Sequence, residues 1–432
     1  MSNLHETLGR EADLLYLAND QAISTRIGKK QGRSIRSTNK EGYLICGPYV
    51  KLDKGFHTIF FYGDVFDLSG KVEIDISCDK GEKIISKQQI KGASGIGVIS
   101  IVRIYLDEEC RDVEFRIYVD EAADIKFDAL EVYSGEYVGE FSSLNKSYKK
   151  DLEWTLVLYQ SYEKFFKKEA PFYLVVPWAD APEFHSRFSD MKDAGIINNM
   201  PMILFEEWVL SSTGSNIPEN FDGWRIQQVI KLCFSKLFMS RKYITFDSAQ
   251  FFSRDFDYKE HLYVGDILKT AAIEQNRYEK NKEFIESGEL CWLKGNLVNA
   301  SVAFDFIDEQ FSELNEKKYH YIGCNGFFDS AICSSLERWA YNNGYDGFVG
   351  LIVLAPYEFA WYGSYVTYME KELFFPVDPL IFLPIINESA VEEIKGLHLR
   401  PHHDQYGYLF QPPASNEPDP ESLYQASLKI NN

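Results

Sequence analysis

The stretch from Gly223 to Asp255, GWRIQQVIKLCFSKLFMSRKYITFDSAQFFSRD, constrains the fold more than any other part of this chain. Its spacing predicts a helix, a tight connection and a buried strand that ends on Asp247. On a helical wheel Ile226, Val229, Ile230, Cys233 and Leu237 share one face, and Trp224, Gln227, Gln228 and Lys231 share the opposite one. The apolar face can pack on a sheet. The other face offers an indole for stacking, two neutral amides and one positive charge, an unusual set for a merely solvated surface. Tyr243 to Phe246 is short, apolar and β-branched, which sets Asp247 at a carboxyl end of the sheet. In open α/β sheets ligands bind at those ends.

Upstream, the periodicity is that of strands. Val72, Ile74 and Ile76 alternate with Glu73, Asp75 and Ser77, and Val113, Phe115, Ile117 and Val119 alternate with polar neighbours and Tyr118. Gly47-Pro48, Asp53-Lys54-Gly55 and Leu68-Ser69-Gly70 punctuate the run as turns. Residues 42–137 therefore read as an antiparallel, jelly-roll-like β-sandwich, suited to packing, to oligomerisation or to carbohydrate. Phe56, Phe60, Phe61 and Phe66 read as core aromatics before sugar platforms. Residues 1–41 read as a polar arm with basic stretches, solvated or in peripheral contact with an anionic membrane. After the small polar stretch near Gly135 to Asn145, strands and helices alternate, the pattern of a largely parallel sheet. The tail, residues 411–432, reads as extended or disordered.

A chain of 432 residues with 45% hydrophobic and 15% aromatic content can form two or three cored domains. Its 45 basic and 65 acidic side chains leave a net charge of −20, which argues against a general nucleic-acid binder. No apolar run long enough for a transmembrane helix and no N-terminal signal are apparent, so a soluble, cytoplasmic protein, with membrane association left open, is the expectation. The seven cysteines are scattered and read as reduced, mostly buried thiols. Walker, GxGxxG, HExxH and GxSxG patterns are missing.

Gly223-Trp224, Gln227-Gln228 and Lys231-Leu232, followed by Tyr243 to Ser248, resemble a bacterial family of domains grouped with GT-A-type nucleotide-sugar glycosyltransferases. The resemblance runs over residues 144–407 and implies a second domain, residues 144–410, of α/β GT-A-like fold. It implies a nucleotide-sugar donor, a glycan or glycolipid acceptor, and Mn²⁺ or Mg²⁺ held by an Asp-Ser-Asp strand end. Here the last position is Ala249, so metal affinity should fall or vanish. Three readings follow: a metal-independent transferase, a degenerate carbohydrate- or nucleotide-binding protein, or an engineered substitution. By strand alternation, positions 247 and 249 would face one ion.

The same resemblance implies roles for other residues. Tyr148 and Asp151, in a Ser-Tyr-x-x-Asp turn, would lie near the base or ribose, although Asp151 also suits a helix N-terminus. Trp224, Gln227, Gln228, Lys231, Asp247 and the Ala249 position would form the donor side. Asn325 and Gly326, with Trp361 and Tyr362, would line the acceptor side. Glu358, in Pro356-Tyr357-Glu358-Phe359-Ala360-Trp361-Tyr362-Gly363, matches the family's acidic position and is the candidate base of an inverting transfer; a structural acid at the helix start is its alternative. His402 or His403 would complete a metal shell, or belong to a surface histidine cluster.

Overall fold

A computed structural model describes residues 10–167, 170–274, 306–311, 319–321, 325–377, 382–385, 394, 406–410 and 419–430. It divides into two compact units, Met1–Glu140 with Met202–Val209, and Phe141–Pro201 with Leu210–Asn432. The first is rich in antiparallel β-structure and the second mixes helices with strands.

In the first unit the alternating sequence forms strands β1 (Leu14–Leu17), β2 (Lys29–Gln31), β3 (Ser34–Arg36), β4 (Gly42–Ile45), β5 (Pro48–Leu52), β6 (Gly55–Asp67), β7 (Val72–Cys78), β8 (Lys83–Gln89), β9 (Val98–Leu106), β10 (Cys110–Val119) and β11 (Asp124–Ser134). One sheet has the order β2-β3-β11-β6-β9 with β1 also on β11; the other has β4-β10-β7-β8 with β5 on β10. Every inward residue of the alternation that the sequence singles out, Val72, Ile74, Ile76, Val113, Phe115, Ile117 and Val119, lies in one core shared by both sheets. Gly63 sits at φ 147° beside an irregularity in the β6–β11 register, where a Cβ would meet the Lys126 carbonyl oxygen at 1.9 Å.

The polar-arm expectation is corrected here. Leu14–Leu17 and Ser34–Arg36 both pair with β11, and Ala18, Ile23 and Ile35 enter the core. The charge of this segment is partly satisfied inside the unit: Arg36 makes two bonds to Asp124, at 2.9 and 2.6 Å, and lies over the Phe66 ring at 4.5 Å. Leu14–Leu17 is apolar but only four residues long, and Lys29–Gln31 and Ser34–Arg36 are three-residue, largely polar strands, so no run in this segment is long enough to show a strand period. Phe60 and Phe61 are buried as expected, whereas Phe66 is exposed and Phe56 lies under Arg103 at 3.9 Å.

The strand Met202–Phe205 belongs to this first unit. Ile96 donates to the Ile203 carbonyl and Phe205 donates to that of Ser94, both at 3.0 Å. The sequence boundary near residue 143 suggests that the second half can stand alone, but a fragment spanning 141–432 would take away the partners of these two bonds and open one edge of an apolar strand. Such a fragment is expected to lose about 2 kcal/mol, about 1 kcal/mol for each backbone bond, besides gaining a tendency to associate. Thermal melts and sedimentation of the fragment beside the full chain measure both.

In the second unit a sheet runs in the order Phe172–Val176, β12 (Gly139–Lys146), Ser240–Phe246 and Phe327–Asp329. The first pair is parallel and the last antiparallel. Ser142 Oγ lies 2.5 Å from Ser240 Oγ, and Ser147 Oγ lies 3.0 Å from Ser248 Oγ. Residue numbers rise together along the pair, so β12 and Ser240–Phe246 are parallel. The chain leaves β12 for the neighbour on one side and returns later on the other, so the carboxyl ends of β12 and Ser240–Phe246 flank a topological switch point.

The tail is also corrected. Pro420–Ile430 is a helix, and its Leu423 and Tyr424 join a buried cluster with Trp154, Val157, Phe251, Ile394 and Tyr408. Of the cysteines, Cys46, Cys78, Cys110, Cys233 and Cys333 are described, and all are free and buried. His402, His403 and Pro412-Pro413 lie outside the described residues. Among the described residues no helix is long and apolar enough to cross a membrane.

Candidate functional site

The helix Gly223–Cys233 forms where the sequence places it. Asp222 caps it, its Oδ1 accepting from the Arg225 amide at 2.9 Å. A 3₁₀ turn follows, Phe238 takes a left-handed conformation at φ 55°, and the strand Ser240–Phe246 begins. Val229, Ile230 and Cys233 are fully buried. Tyr243 Oη donates to the Lys231 carbonyl at 2.7 Å, pinning the strand to the helix turn that carries the lysine.

The polar helix face is solvated only at Trp224, for Gln228 and Lys231 are buried. Lys231 Nζ lies 3.0 Å from Asp247 Oδ1 and 3.0 Å from Glu358 Oε1, and the Phe359 ring closes another side at 4.7 Å. The Lys231 and Glu358 side chains are 5% and 6% exposed against 32% for Asp247, so Asp247 is the member of the triad open to a ligand. Gln227 Nε2 donates to the same Asp247 Oδ1 at 3.2 Å. Gln228 is buried, and its amide atoms have no hydrogen-bond partner among the described residues. Burial depresses the Lys231 ammonium, but the two carboxylates outweigh it and hold the lysine charged, above its ordinary value. Glu358 shares that one cation with Asp247 and is almost fully buried. Its desolvation outweighs the pull of Lys231 and raises it above the usual carboxylate range.

At the carboxyl end of β12, Tyr148 Oη donates to the Gly223 carbonyl at 2.6 Å, so this loop is tied to the helix start. The approach is close enough that a Cβ on Gly223 would lie 2.9 Å from that hydroxyl. Lys146, buried, places Nζ 3.3 Å above the Tyr148 ring. Trp224 is 48% exposed and meets Tyr357 edge to face at 5.8 Å, which leaves an indole surface beside the site. Asp151 sits at the N-cap of the helix Leu152–Phe165, where its side chain makes no capping bond. The structure thus joins Tyr148, Trp224, Gln227, Lys231, Asp247 and Glu358 through one helix.

Sequence reasoning did not assign a chain of short polar groups beside them. Ser147 Oγ lies 2.7 Å from Thr155 Oγ1 and accepts from Ser248 Oγ, while Asn145 Nδ2 donates to the Phe246 carbonyl at 2.8 Å. Their one sequence signal is the clustering of small hydroxyl and amide residues at two strand ends.

The residues assigned to the acceptor side lie deeper than expected. Asn325 is buried, and its Nδ2 donates to the Thr245 carbonyl and to Gln250 Oε1, both at 3.0 Å. Trp361 Nε1 donates to the Ala355 carbonyl at 2.9 Å, and Tyr362 Oη accepts from the Asp329 amide at 2.9 Å. A Cβ on Gly326 would meet the Phe328 and Phe359 rings at 2.3 and 2.4 Å. Tyr362, through the Asp329 amide, and the close approach of Gly326 to Phe359 set the helix Glu358–Met369 against the strand Phe327–Asp329.

Ala249 has a different neighbourhood from Asp247. The strand ends at Phe246, the chain bends over residues 247–249, and Ala249 packs against the cluster of Trp154, Phe251, Tyr408 and Tyr424. Strand parity therefore does not carry the two positions to one ion. An ammonium lies between Asp247 and Glu358, and no group of three His, Cys, Asp or Glu side chains is spaced to hold a metal among the described residues, which do not include His402 and His403. Ala249→Asp is expected to cost about 1–3 kcal/mol, the penalty for a polar group pressed on apolar neighbours, and to create no Mn²⁺ site. Urea melts and a Mn²⁺ titration check the two halves of that expectation.

A family of unknown function, DUF6492, matches residues 141–291, which include Tyr148, Trp224, Gln227, Lys231 and Asp247 but not Glu358. No curated protein matches the chain. Among solved structures, the chain is similar to the glycosylation-associated protein (Gap123) complex of Streptococcus agalactiae, at 9% identity and a TM-score of 0.23, over 31% of this chain and 33% of that one. It thus spans about a third of that relative's length. The bifunctional glycosyltransferase WbbM, in its apo structure, is 12% identical with a TM-score of 0.33, over 60% of this chain and 43% of that one. The C-terminal CBM6 of LamC from Zobellia galactanivorans is 11% identical with a TM-score of 0.21, over 28% of this chain and 97% of that one.

Proposed function

We propose that the second unit is a GT-A-like nucleotide-sugar-binding domain and that the protein transfers a sugar to a glycan or glycolipid hydroxyl. The observation that carries this reading is the meeting of Asp247, Gln227, Lys231 and Glu358 beside a parallel-sheet switch point, with Tyr148 and Trp224 at its margin. Asp247, one third exposed, accepts from donor hydroxyls, and Trp224 offers its face to a base or sugar ring. In the reaction the acceptor oxygen attacks the anomeric carbon as the bond to the diphosphate oxygen breaks. The nucleoside diphosphate leaves with that electron pair, and the acceptor proton passes to the Glu358 carboxylate. A carboxylate raised by burial is a stronger base than a free one, and Lys231 opposes part of that rise.

The near-complete burial of Glu358 favours a second reading, a carbohydrate- or nucleotide-binding protein in which the triad is only a clamp. Calorimetry with UDP-, GDP- and CMP-sugars tests both. Binding of one nucleotide class with slow release of free sugar or transfer to an acceptor supports the transferase. Binding without turnover supports the clamp, and no binding at all defeats both.

A further inference from the structure

We infer that Lys231 is a built-in cation that takes the place of a divalent metal, so that this site binds its donor without one. The inference deepens the nucleotide-sugar reading and rests on it. Nζ stands 3.0 Å from one oxygen of each of two acids, and it is buried where a competing cation would have to displace it. A Mg²⁺ or Ca²⁺ ion needs several oxygen ligands at about 2.0–2.6 Å. Here the gap between the two carboxylates is filled by nitrogen, one wall is the Phe359 ring, and Ala249 turns to an apolar cluster. Ejecting the lysine would leave its ammonium without partners in a buried place, which opposes metal entry.

The charge count also narrows what the corner recognises. With both acids ionised, two carboxylates and one ammonium sum to −2 + 1 = −1, and Gln227 adds no charge. Lys231 already has an acid on two sides, so it is not the group that clamps a diphosphate. A corner of net negative charge with an exposed Asp247 oxygen accepts hydroxyl hydrogens. The ligand portion seated there is therefore the neutral, hydroxyl-bearing ribose or sugar, and the phosphates lie elsewhere.

Two measurements on the full chain, stripped with EDTA, test this. In the first, nucleotide-sugar affinity of the natural sequence is measured by calorimetry with and without Mn²⁺, and the same value is expected in both. Tightening of about tenfold or more with Mn²⁺, the change two freed carboxylates would bring, overturns the inference. In the second, Mn²⁺ alone is titrated by electron paramagnetic resonance against the natural sequence and Lys231→Ala. The variant, with Asp247 and Glu358 facing an empty gap, is expected to hold Mn²⁺ about tenfold tighter or more. Equal binding by the two overturns it. Should Lys231→Ala not fold, the first measurement decides. Failure of every nucleotide-sugar to bind would instead defeat the functional reading, and the Mn²⁺ titration would still decide the role of the lysine.

Discussion

Lys231→Met is expected to lower folding stability by about 3–5 kcal/mol at neutral pH, the cost of leaving a buried charge without its partner. Methionine keeps most of the volume, so the loss is electrostatic. Removing the ammonium leaves Asp247 and Glu358 as like charges on one face, and Glu358 is too buried for water to compensate. The sign of the pH dependence follows from Glu358. Its folded-state value is raised by burial, so the folded chain holds that proton more firmly than the unfolded chain does. Stability therefore rises as pH falls through the raised value towards the ordinary one. In the variant the lowering influence of Lys231 is gone, the raised value climbs further, and the window widens. The deficit against the natural sequence is expected to shrink between about pH 7 and about pH 5. Urea unfolding at the two pH values measures it, read in the transition of the second unit, because a chain with two units need not unfold in one step. Equal deficits at both values would mean that Glu358 does not carry the strain, and Lys231→Met/Glu358→Gln should then fail to recover stability.

What could be read without coordinates follows physical range. The corner from Gly223 to Asp247 was legible because each of its signals is local: a 3.6-residue apolar face and a short apolar, β-branched strand. The two-sheet core of the first unit was legible for the same reason, through the alternation along β7 and β10. The strands Leu14–Leu17 and Ser34–Arg36 were not, because three or four residues are too few to show a period and both take their stability from the β11 ladder. The terminal helix was hidden by the prolines before it. Lys231 looked like a ligand-facing charge on a helical wheel, and only the tertiary fold brings Glu358 to it. Likewise, parity set Ala249 beside Asp247 in the sequence, and a bend after Phe246 undoes it.

Glu358→Gln separates the catalytic from the structural role of that acid. The substitution preserves shape and a hydrogen-bond acceptor near Lys231, and it removes a charge that is costly to bury, so the fold should keep most of its stability. If Glu358 takes the acceptor proton, turnover is expected to fall by about 10²–10⁴-fold, the usual worth of a positioned general base, while donor affinity changes little. The acid limb of the rate profile, which reports the raised Glu358 carboxyl, should vanish with it. A residue that only braces the helix Glu358–Met369 would behave in the opposite way: the melt would move, kcat would follow the folded fraction, and the acid limb would persist. Lys231 links the two outcomes. With a neutral residue at 358, the ammonium has Asp247 as its one carboxylate partner of the triad, so the local charge changes from −1 to 0. That change should weaken the grip on hydroxyl donors only slightly, because Asp247, the exposed acid, is untouched. Full turnover in Glu358→Gln, measured with whichever nucleotide-sugar binds, would assign the proton to another group or to water and leave Glu358 as the anchor of the buried lysine.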